Sequence, residues 1–521
     1  MPYAIDLFCG AGGFSEGIIQ AGFDIIFSSD KSPMVEKTYT NRHKQLGIIE
    51  GVDTHFELTD IRNLTTELIF KSINSLKYGD IFKPGSIDAI FGGPPCQGFS
   101  RLGKRDSADP RNMLFHEYLR IIRDVKPKYV VMENVKGILD MNMLDFPSVL
   151  KKEKYLGQTL VKDILYSELT SLGYNVLDVQ VLNASDFGVP QQRNRVVFLA
   201  YRNDVSPVNY PQKRIGSEVN VRDALGDLYI GNEYEYTTEY SAKSVEGRTQ
   251  NILTRNPVSR ASITNMEVSK HEPIVQQRFS LYKQGENRRK AVTRLKRDGI
   301  NLIENLPSLF FESFFQLNKK YNAKIIKRGL IKYNLFEKIN YSDKWIQFTN
   351  RQLALIWQHC VNGDKESFNK GIKLLSTRLR SDVKTTERFW DTVKDDLNDE
   401  IDELTYSDRL LKGQFNEDII EAVFTKKGIR TRLDSENVAP TMVTLPDDFI
   451  HPYFNRILTV REMARLQSFD DSFEFLGKRT TGGSQRVLET PQYTQVGNAV
   501  PPLLARAIAE EVFKATELNN E

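Results

Sequence analysis

The chain has 521 residues, a formal net charge of +3 and three cysteines, Cys9, Cys96 and Cys360. This length exceeds what one compact domain needs, so we expect two domains, one of them large. The cysteines are few and far apart, which argues against a disulfide framework or a structural zinc site and for a reducing compartment. The sequence shows neither a secretory signal nor an apolar run that could span a bilayer. We therefore expect a protein of the cytoplasm, or of the nucleus in a eukaryote, with no membrane partner.

The first two-fifths of the chain alternate strand-like and helix-like segments. Such alternation predicts a mostly parallel sheet covered by helices on both faces, which is a doubly wound α/β fold. The predicted strands are Tyr3–Phe8, Phe23–Ser28, Ile87–Gly92, Tyr129–Met132, Tyr174–Leu182 and Arg195–Tyr201. The predicted helices are Phe14–Ala21, Leu114–Val125 and Leu160–Leu172.

The alternation ends after about Tyr210. The following stretch is irregular at first, and then becomes helical in character and rich in lysine and arginine as far as about Arg380. After Arg432 the chain again looks like the first domain. We therefore predict a catalytic domain in two parts that flank a largely helical insertion, with the parts at 1–214 and 436–521 and the insertion at 215–435.

A glycine-rich segment, Asp6 to Gly13, lies between the first predicted strand and the first predicted helix. Gly10, Gly12 and Gly13 allow a close backbone approach to a ligand, and the helix start offers unpaired N–H groups. Asp30, at the end of the second strand, can hold ribose hydroxyls. The pattern favours a nucleoside-type cofactor over a simple tight turn. A nicotinamide-dependent oxidoreductase is an alternative, which the Gly-x-Gly-Gly spacing disfavours.

Cys96 lies in a loop at the carboxyl end of a predicted strand, where ligands bind in open parallel sheets. A lone cysteine is more often inert than nucleophilic. Two prolines before Cys96 and Gly98 after it make a stiff approach and a flexible exit, which suits a fixed side chain beside a moving loop. The segment therefore favours a reactive cysteine.

Two further motifs lie at strand ends. Glu133, in Met-Glu-Asn-Val, either faces the cleft or caps the next helix, and the sequence favours neither. Gln191, Arg193 and Arg195 alternate at the entry to the last strand, so we expect them to point the same way. Ordinary surface salt bridges are the alternative for these arginines.

These four motifs, in this order, resemble the DNA (cytosine-5)-methyltransferase family. The resemblance covers about residues 1–205 and 430–521, and the middle of the chain matches only loosely. Lys31 departs from the family pattern, because the residue after the ribose-binding acid is often aromatic there; cofactor binding is expected to depend on Phe8 and Asp60 instead. Further matching segments are Thr59 to Ile61, Asp109 to Phe115, Arg456 to Phe469 and Gln495 to Pro501.

The resemblance implies a class I, Rossmann-like methyltransferase fold and S-adenosylmethionine as the cofactor, with no metal. The cofactor-binding residues that it implies are Asp6, Phe8, Gly10, Gly12, Gly13, Asp30, Asp60, Ile61, Leu114 and Asn498.

The resemblance also implies the catalytic residues. Cys96 is expected to add covalently to carbon 6 of cytosine, and Glu133 to contact ring nitrogen 3 and the exocyclic amine. Arg193 or Arg195 is expected to supply positive charge near the thiolate and to bind the exocyclic oxygen. The base that removes the carbon-5 proton is not assigned.

The expected substrate is double-stranded DNA, from which the target cytosine is flipped. Gly98–Asn112 is predicted to be a closing loop, whose DNA-binding residues are Ser100, Arg101, Lys104 and Arg105. The basic insertion is expected to contact phosphates and to recognise the target sequence. We expect a monomer that serves a bacterial restriction–modification system, with a cognate endonuclease acting separately.

Two alternatives stay open within the resemblance. The first is a tRNA cytosine-5 methyltransferase, against which the long basic insertion argues. The second is a non-catalytic binding protein on the same scaffold, against which the intact set of Cys96, Glu133 and Arg195 argues.

Overall fold

The structure is a computed structural model that describes residues 1–95, 113–150, 153–214, 216, 218–259, 262–337, 339, 352–360, 364–425, 429–481 and 489–519. Packing divides the chain into two compact units. The first unit comprises Met1–Val268, Asp434–Pro446 and Leu458–Glu521. The second unit comprises Ser269–Leu433 and Asp447–Ile457.

The first unit is built around one large sheet. The strands of this unit are, in chain order, β1 (Tyr3–Leu7), β2 (Asp24–Asp30), β3 (His55–Leu58), β4 (Ala89–Gly92), β5 (Tyr129–Asn134), β6 (Asn142–Pro147), β7 (Lys154–Leu160), β8 (Tyr174–Val176), β9 (Gln180–Asn183) and β10 (Asn194–Arg202). The sheet has the order β3-β2-β1-β4-β5-β10-β8, with β9 also paired to β10. The first five strands in that order are parallel, and β10 is antiparallel to its neighbours. Strands β6 and β7 form a separate antiparallel pair.

Helices connect these strands and make up most of the second unit. The helices before the second unit are α1 (Gly13–Ala21), α2 (Pro33–Gln45), α3 (Thr66–Asn74), α4 (Leu114–Val125), α5 (Val161–Ser171), α6 (Val221–Leu225) and α7 (Glu239–Glu246). Those of the second unit are α8 (Pro273–Ser280), α9 (Arg288–Asp298), α10 (Leu302–Asn305), α11 (Pro307–Leu317), α12 (Lys319–Lys332), α13 (helical residues 352–360), α14 (Lys365–Leu379), α15 (Val383–Val393), α16 (Glu403–Leu411) and α17 (Glu417–Phe424). The chain then adds α18 (Val460–Leu466), α19 (Gln492–Asn498) and α20 (Pro502–Leu518) in the first unit.

The two faces of the sheet bury two separate hydrophobic cores. On β5, Val130 and Met132 pack into one core with α3, α4 and α5. Tyr129 and Val131, which point the opposite way, pack into the other core with α1 and α20. This alternation is what a strand with helices on both of its faces requires. The predicted doubly wound, mostly parallel fold is therefore confirmed.

The helix Leu114–Val125 has the predicted bounds, but the prediction of one strand over Tyr174–Leu182 is wrong. Val176 pairs with Ala200, whereas Gln180 pairs with Val197. Three residues on one side therefore face two on the other, which is the one-residue mismatch of a β-bulge. The extra residue breaks the segment into β8 and β9.

The second unit is largely helical, as predicted for the insertion, and has its own aromatic core. Phe310, Phe314 and Trp390 are buried in it, and two short strands, β11 (Thr431–Arg432) and β12 (Phe449–Ile450), pair in parallel. This unit begins at Ser269, later than the predicted insertion start at 215. The residues between them pack in the first unit because, for example, Asp227 pairs with Arg465 at 2.9 Å. That the insertion recognises the target DNA sequence stays a prediction.

In the described parts of the chain, no helix is both long enough and apolar enough to cross a membrane.

Candidate active site

The loop after β1 turns sharply before α1 begins. Phe8 has a φ of 58° and Gly12 a φ of 97°, both in the left-handed region. A bulky residue there is an outlier, and such strain concentrates at functional sites. A Cβ on Gly13 would lie 2.4 Å from the carbonyl oxygen of Val500, so a side chain does not fit. The predicted close backbone turn is thus present.

Asp30, at the end of β2, lies against this turn. The N–H of Gly10 donates to Asp30 Oδ2 at 3.2 Å, and the N–H of Ser32 donates to Oδ1 at 2.9 Å. Burial raises the pKa of the Asp30 carboxyl, although these two hydrogen bonds act to lower it. Lys31, the departure from the family pattern, is exposed beside it. The structure thus joins Asp30 to the glycine turn, and its role in holding ribose hydroxyls stays a prediction.

Asp6, the last polar residue of β1, is buried and only half satisfied. Ser15 Oγ donates to Asp6 Oδ2 at 2.5 Å, whereas Oδ1 has no hydrogen-bond partner among the described residues. Burial raises the pKa of Asp6 to about 7; the Ser15 hydrogen bond lowers it and the Asp30 charge raises it further. A buried polar atom without a partner is rare in native proteins, and a ligand donor would satisfy this one.

Asp60 follows β3, the next strand of the sheet. Its carboxylate caps a short 3-10 helix, Ile61–Asn63, and accepts from the Arg62 guanidinium at 2.7 Å. The Arg62 hydrogen bonds hold the pKa of Asp60 at about 2, so it stays ionised. Ile61 and Leu114 are buried in the same hydrophobic core. Asn498 lies exposed at the end of α19.

The turn after β4 is fixed by a residue of β5. Asn134 is buried and donates its side-chain amide to the carbonyl oxygen of Pro94 at 3.0 Å. Its Oδ1 accepts the N–H of Val135 at 2.9 Å. The described chain stops at Pro95, one residue before Cys96. Other predicted residues outside the described ranges are Ser100, Arg101, Lys104 and Arg105 and the rest of the loop Gly98–Asn112.

Glu133 forms an ion pair with Arg195 on the neighbouring strand. Val197 of β10 lies opposite Glu133, and Arg195, two residues before it on the same face, brings its Nε to 2.6 Å from Glu133 Oε1. Burial raises the pKa of the Glu133 carboxyl, and the charges of Arg195 and Arg193 offset this in part. Glu133 does not cap the 3-10 helix that follows, which has no side-chain cap. The capping alternative is therefore wrong.

Arg193 has different partners. It is buried, and its guanidinium donates to the carbonyl oxygens of Met442 (3.0 Å), Gly497 (2.9 Å) and Ala499 (3.0 Å). Because β10 begins at Asn194, the alternation rule for strands does not extend to Arg193. This arginine therefore joins three segments that are distant in sequence.

Comparison with known proteins decides the family. A family model for the C-5 cytosine-specific DNA methylases matches residues 3–514. The chain belongs to this family. As a member it is a DNA (cytosine-5-)-methyltransferase, which confirms the activity that the resemblance implied, and its methyl donor is implied to be S-adenosylmethionine.

Individual relatives agree with the family match. The chain is 30% identical over 516 residues to the type II methyltransferase M.DdeI of Desulfomicrobium norvegicum, covering 98% of this chain and 88% of the relative. It is 27% identical over 537 residues to the type II methyltransferase M.AgeI of Thalassovita gelatinovora, with 98% of each covered. A crystal structure from E. coli, described as a prophage-encoded DNA modification methyltransferase, superposes with a TM-score of 0.54 at 20% identity, covering 99% of this chain and 100% of that one. That likeness supports the fold alone.

The residues at this edge of the methyltransferase sheet fit a bound nucleoside with a charged amino-acid tail. Asp6 Oδ1 lacks a donor among the described residues, the Asp30 carboxylate lies at the glycine turn, and a side chain does not fit at Gly13. Among the described residues, no group of His, Cys, Asp and Glu is arranged to hold a metal ion.

Sequence reasoning missed two residues of this site. Asn134 belongs to the same motif as Glu133, and its place at the end of a buried strand is the signal that could have found it. Ser15 contacts Asp6 across the turn, and no sequence pattern signals that hydrogen bond.

The state of Asp6 predicts how stability depends on pH. The folded chain keeps this proton to about pH 7, whereas an unfolded aspartate loses it near the usual value of 3.8. Stability from this group is therefore full at low pH and is lost as pH rises toward 7. When the pH is raised from 5 to 8, the free energy of unfolding should decrease in the wild type. In the Asp6→Asn variant this decrease should be smaller by about 2–3 kcal/mol.

Urea unfolding at the two pH values measures this difference. Asp80→Asn, which removes an exposed carboxylate from the same unit, is the control. An Asp6→Asn variant with the pH dependence of the wild type would contradict the protonated state of Asp6.

Asn134→Ala leaves the Pro94 carbonyl without its donor. We expect the free energy of unfolding to fall by about 1–3 kcal/mol. The single-turnover rate of methyl transfer should fall roughly 10- to 100-fold, because the turn into Cys96 loses its anchor. Asn175→Ala, at an exposed position of β8, is the matched control. Equal rates for the two variants would show that this hydrogen bond does not position the turn.

Proposed function

We propose that this methyltransferase modifies carbon 5 of a cytosine flipped out of a specific duplex sequence, through a covalent adduct with Cys96. The observation that best supports the proposal is the ion pair of Glu133 with Arg195 beside the turn that Asn134 holds. Glu133 lies close to this turn, since a Cβ added to Gly93, three residues before Cys96, would be 3.2 Å from Glu133 Oε2.

Cys96 is the nucleophile in this proposal. A free thiol with a pKa near 8.5 is only about 3% thiolate at neutral pH, so positive charge near it favours the reactive form. The thiolate forms a bond to carbon 6 of cytosine, and the electron pair of the 5,6 double bond becomes available at carbon 5. When bound, S-adenosylmethionine would supply an electrophilic methyl group for carbon 5, and its sulfonium would leave as a neutral thioether. Loss of the carbon-5 proton to a base then restores the double bond and expels the Cys96 sulfur.

Glu133 and Arg195 divide the remaining work. Burial raises the pKa of Glu133, although the charges of Arg195 and Arg193 act to lower it. In this proposal the protonated carboxyl donates to ring nitrogen 3 as negative charge develops there. Arg195 holds the Glu133 carboxyl in place through the 2.6 Å contact and offers positive charge for the exocyclic oxygen. Arg193, whose guanidinium donates to three carbonyl oxygens, acts by positioning.

The cofactor is proposed to bind at the ends of β1, β2 and β3. Asp30 would hold the ribose hydroxyls. Asp6 would accept from the donor groups of the amino-acid part, since its Oδ1 has no partner in the part of the chain that the structure describes. The remaining proposed contacts are Phe8, Gly10, Gly12, Gly13, Asp60, Ile61, Leu114 and Asn498.

The proposed biological role is protection of host DNA in a restriction–modification system, because the relatives are type II methyltransferases. The loop after Cys96, with Ser100, Arg101, Lys104 and Arg105, is proposed to contact the DNA. Methylation sequencing of a host that expresses the chain should show 5-methylcytosine in one sequence context. A host with no 5-methylcytosine, or with methylation in tRNA alone, would refute the proposal.

The covalent step predicts the effect of Cys96→Ser. We expect methyl transfer to fall by at least about 10³-fold, because a hydroxyl is a far weaker nucleophile, while DNA binding is kept. Methyl incorporation into duplex DNA and a gel-shift assay measure the two properties. Cys360→Ser, which changes an exposed free cysteine, should keep full activity. An active Cys96→Ser variant would rule out the covalent mechanism.

The proton on Glu133 predicts a pH profile. As pH rises through its raised pKa, the protonated share falls, so the methyl-transfer rate should decline on the alkaline side. Glu133→Gln should lower the rate about 10²–10³-fold and remove this decline. Single-turnover rates across the pH range measure both effects. Glu153→Gln, at an exposed position, is the control. An unchanged alkaline limb in Glu133→Gln would assign that limb to another group.

A further inference from the structure

Helix α12 carries an unusual charge pattern. Its sequence, Lys-Lys-Tyr-Asn-Ala-Lys-Ile-Ile-Lys-Arg-Gly-Leu-Ile-Lys, has six cations and no acidic residue. Lys320, Lys324 and Lys327 are exposed and recur at intervals of four and three residues, so they lie on one side of the helix. They span about 10 Å of helix axis. The helix therefore presents a row of three lysines, here called the α12 lysine row.

Packing in the second unit fixes which side of α12 faces solvent. A Cβ on Gly329 would lie 2.7 Å from Val393 Cγ1 and 2.8 Å from Phe389 Cε2, so α12 packs closely on α15. The amide of Asn322 also exchanges two hydrogen bonds with Asn398, at 2.7 and 2.8 Å. These contacts prevent α12 from rotating about its axis. The α12 lysine row is consequently held on the solvent side.

Nothing described around the row neutralises it. Among the described residues, Arg328 is the one cation of α12 that forms an ion pair, and its partner is Asp396. Lys332 donates to the hydroxyl of Thr392, and Lys327 lies over the Phe336 ring at 5.4 Å. Like charges four residues apart on a helix repel each other, so the row acts against the stability of its own helix.

Three other helices of the protein avoid this conflict. In each of them a cation is paired with a carboxylate one turn away in the helix. The pairs are Lys243 with Glu239, Lys412 with Asp408 and Arg506 with Glu510. A local choice that costs stability, where the same chain shows the stabilising alternative elsewhere, points to a function for the row.

We infer that the α12 lysine row is a contact surface for the phosphate backbone of duplex DNA, outside the catalytic site. The inference rests on the DNA substrate of the family and not on the covalent mechanism proposed for Cys96. Duplex DNA carries one charge per about 1.7 Å of its axis, so the row faces roughly six phosphates along its length. Lysine ammonium groups bind phosphates as point charges without reading bases. The row thus adds affinity that is independent of sequence and sensitive to salt.

The test is the triple variant Lys320→Gln, Lys324→Gln and Lys327→Gln in the full chain. Its binding to a duplex oligonucleotide without a target site is measured by fluorescence anisotropy between about 50 and 200 mM salt. Each phosphate contact contributes about 0.9 to the slope of log affinity against log salt, so the slope should fall by roughly 2–3. Affinity at the lower salt should fall roughly tenfold or more. Removal of the repulsion should leave the melting temperature equal to or above that of the wild type.

A matched control removes three cations that already have carboxylate partners in the same unit. It carries Arg297→Gln, Lys394→Gln and Lys412→Gln, whose partners are Asp298, Asp391 and Asp408. A slope that falls no more in the lysine-row variant than in this control would overturn the inference. Loss of binding to anionic lipid vesicles, with DNA binding unchanged, would also overturn it. Methylation of DNA by the wild-type protein is measured separately. Its absence would contradict the proposed function and not the inference about the α12 lysine row.

Discussion

Parallel pairing of β1, β4 and β5 is the constraint on which the active site depends. Parallel neighbours end at the same edge of a sheet, and strands buried on both faces can carry polar groups only where they end. The glycine turn after β1, the Gly92–Pro95 turn after β4 and Glu133 on β5 therefore meet at one edge. In the proposed mechanism these groups act on one cytosine and one cofactor, so they have to lie at the same edge.

The start of the antiparallel strand β10 adds two arginines to the groups at this edge of the sheet. It brings Arg195 to Glu133 across the strand pair. Arg193, the residue just before β10, donates to three carbonyl oxygens. The second unit has a comparable centre in Arg432, which is buried and donates to the carbonyl oxygens of Phe279, Tyr282 and His451. Burial lowers the pKa of Arg432 to about 10. In both units a buried guanidinium satisfies several backbone acceptors at once, which ties distant segments together.

Stability and function use charge differently in this protein. Buried cations are surrounded by carbonyl oxygens or by carboxylates, as Arg42 is by Glu16 at 2.7 Å, because an unpaired buried charge is costly. The exposed lysines of the α12 lysine row have no ion-pair partner among the described residues, and they are tolerated because water screens them. Asp6 is the opposite case: a buried carboxyl that lacks one donor within the described ranges and whose pKa burial raises to about 7. Such exceptions lie where a ligand or a nucleic acid can supply the missing partner.

The sequence by itself determined the family, the doubly wound fold and the strand ends that carry the motifs, because glycine spacing, hydrophobic alternation and motif order are local properties of the chain. Tertiary structure alone decided that Glu133 pairs with Arg195 instead of capping a helix, and that Asn134 and Ser15 belong to the site. It also broke the predicted strand at Tyr174–Leu182 by a one-residue register shift and began the second unit at Ser269. The reason is physical: local sequence fixes which backbone conformation and which face a residue takes, whereas its partner comes from a segment far along the chain, selected by strand register and packing.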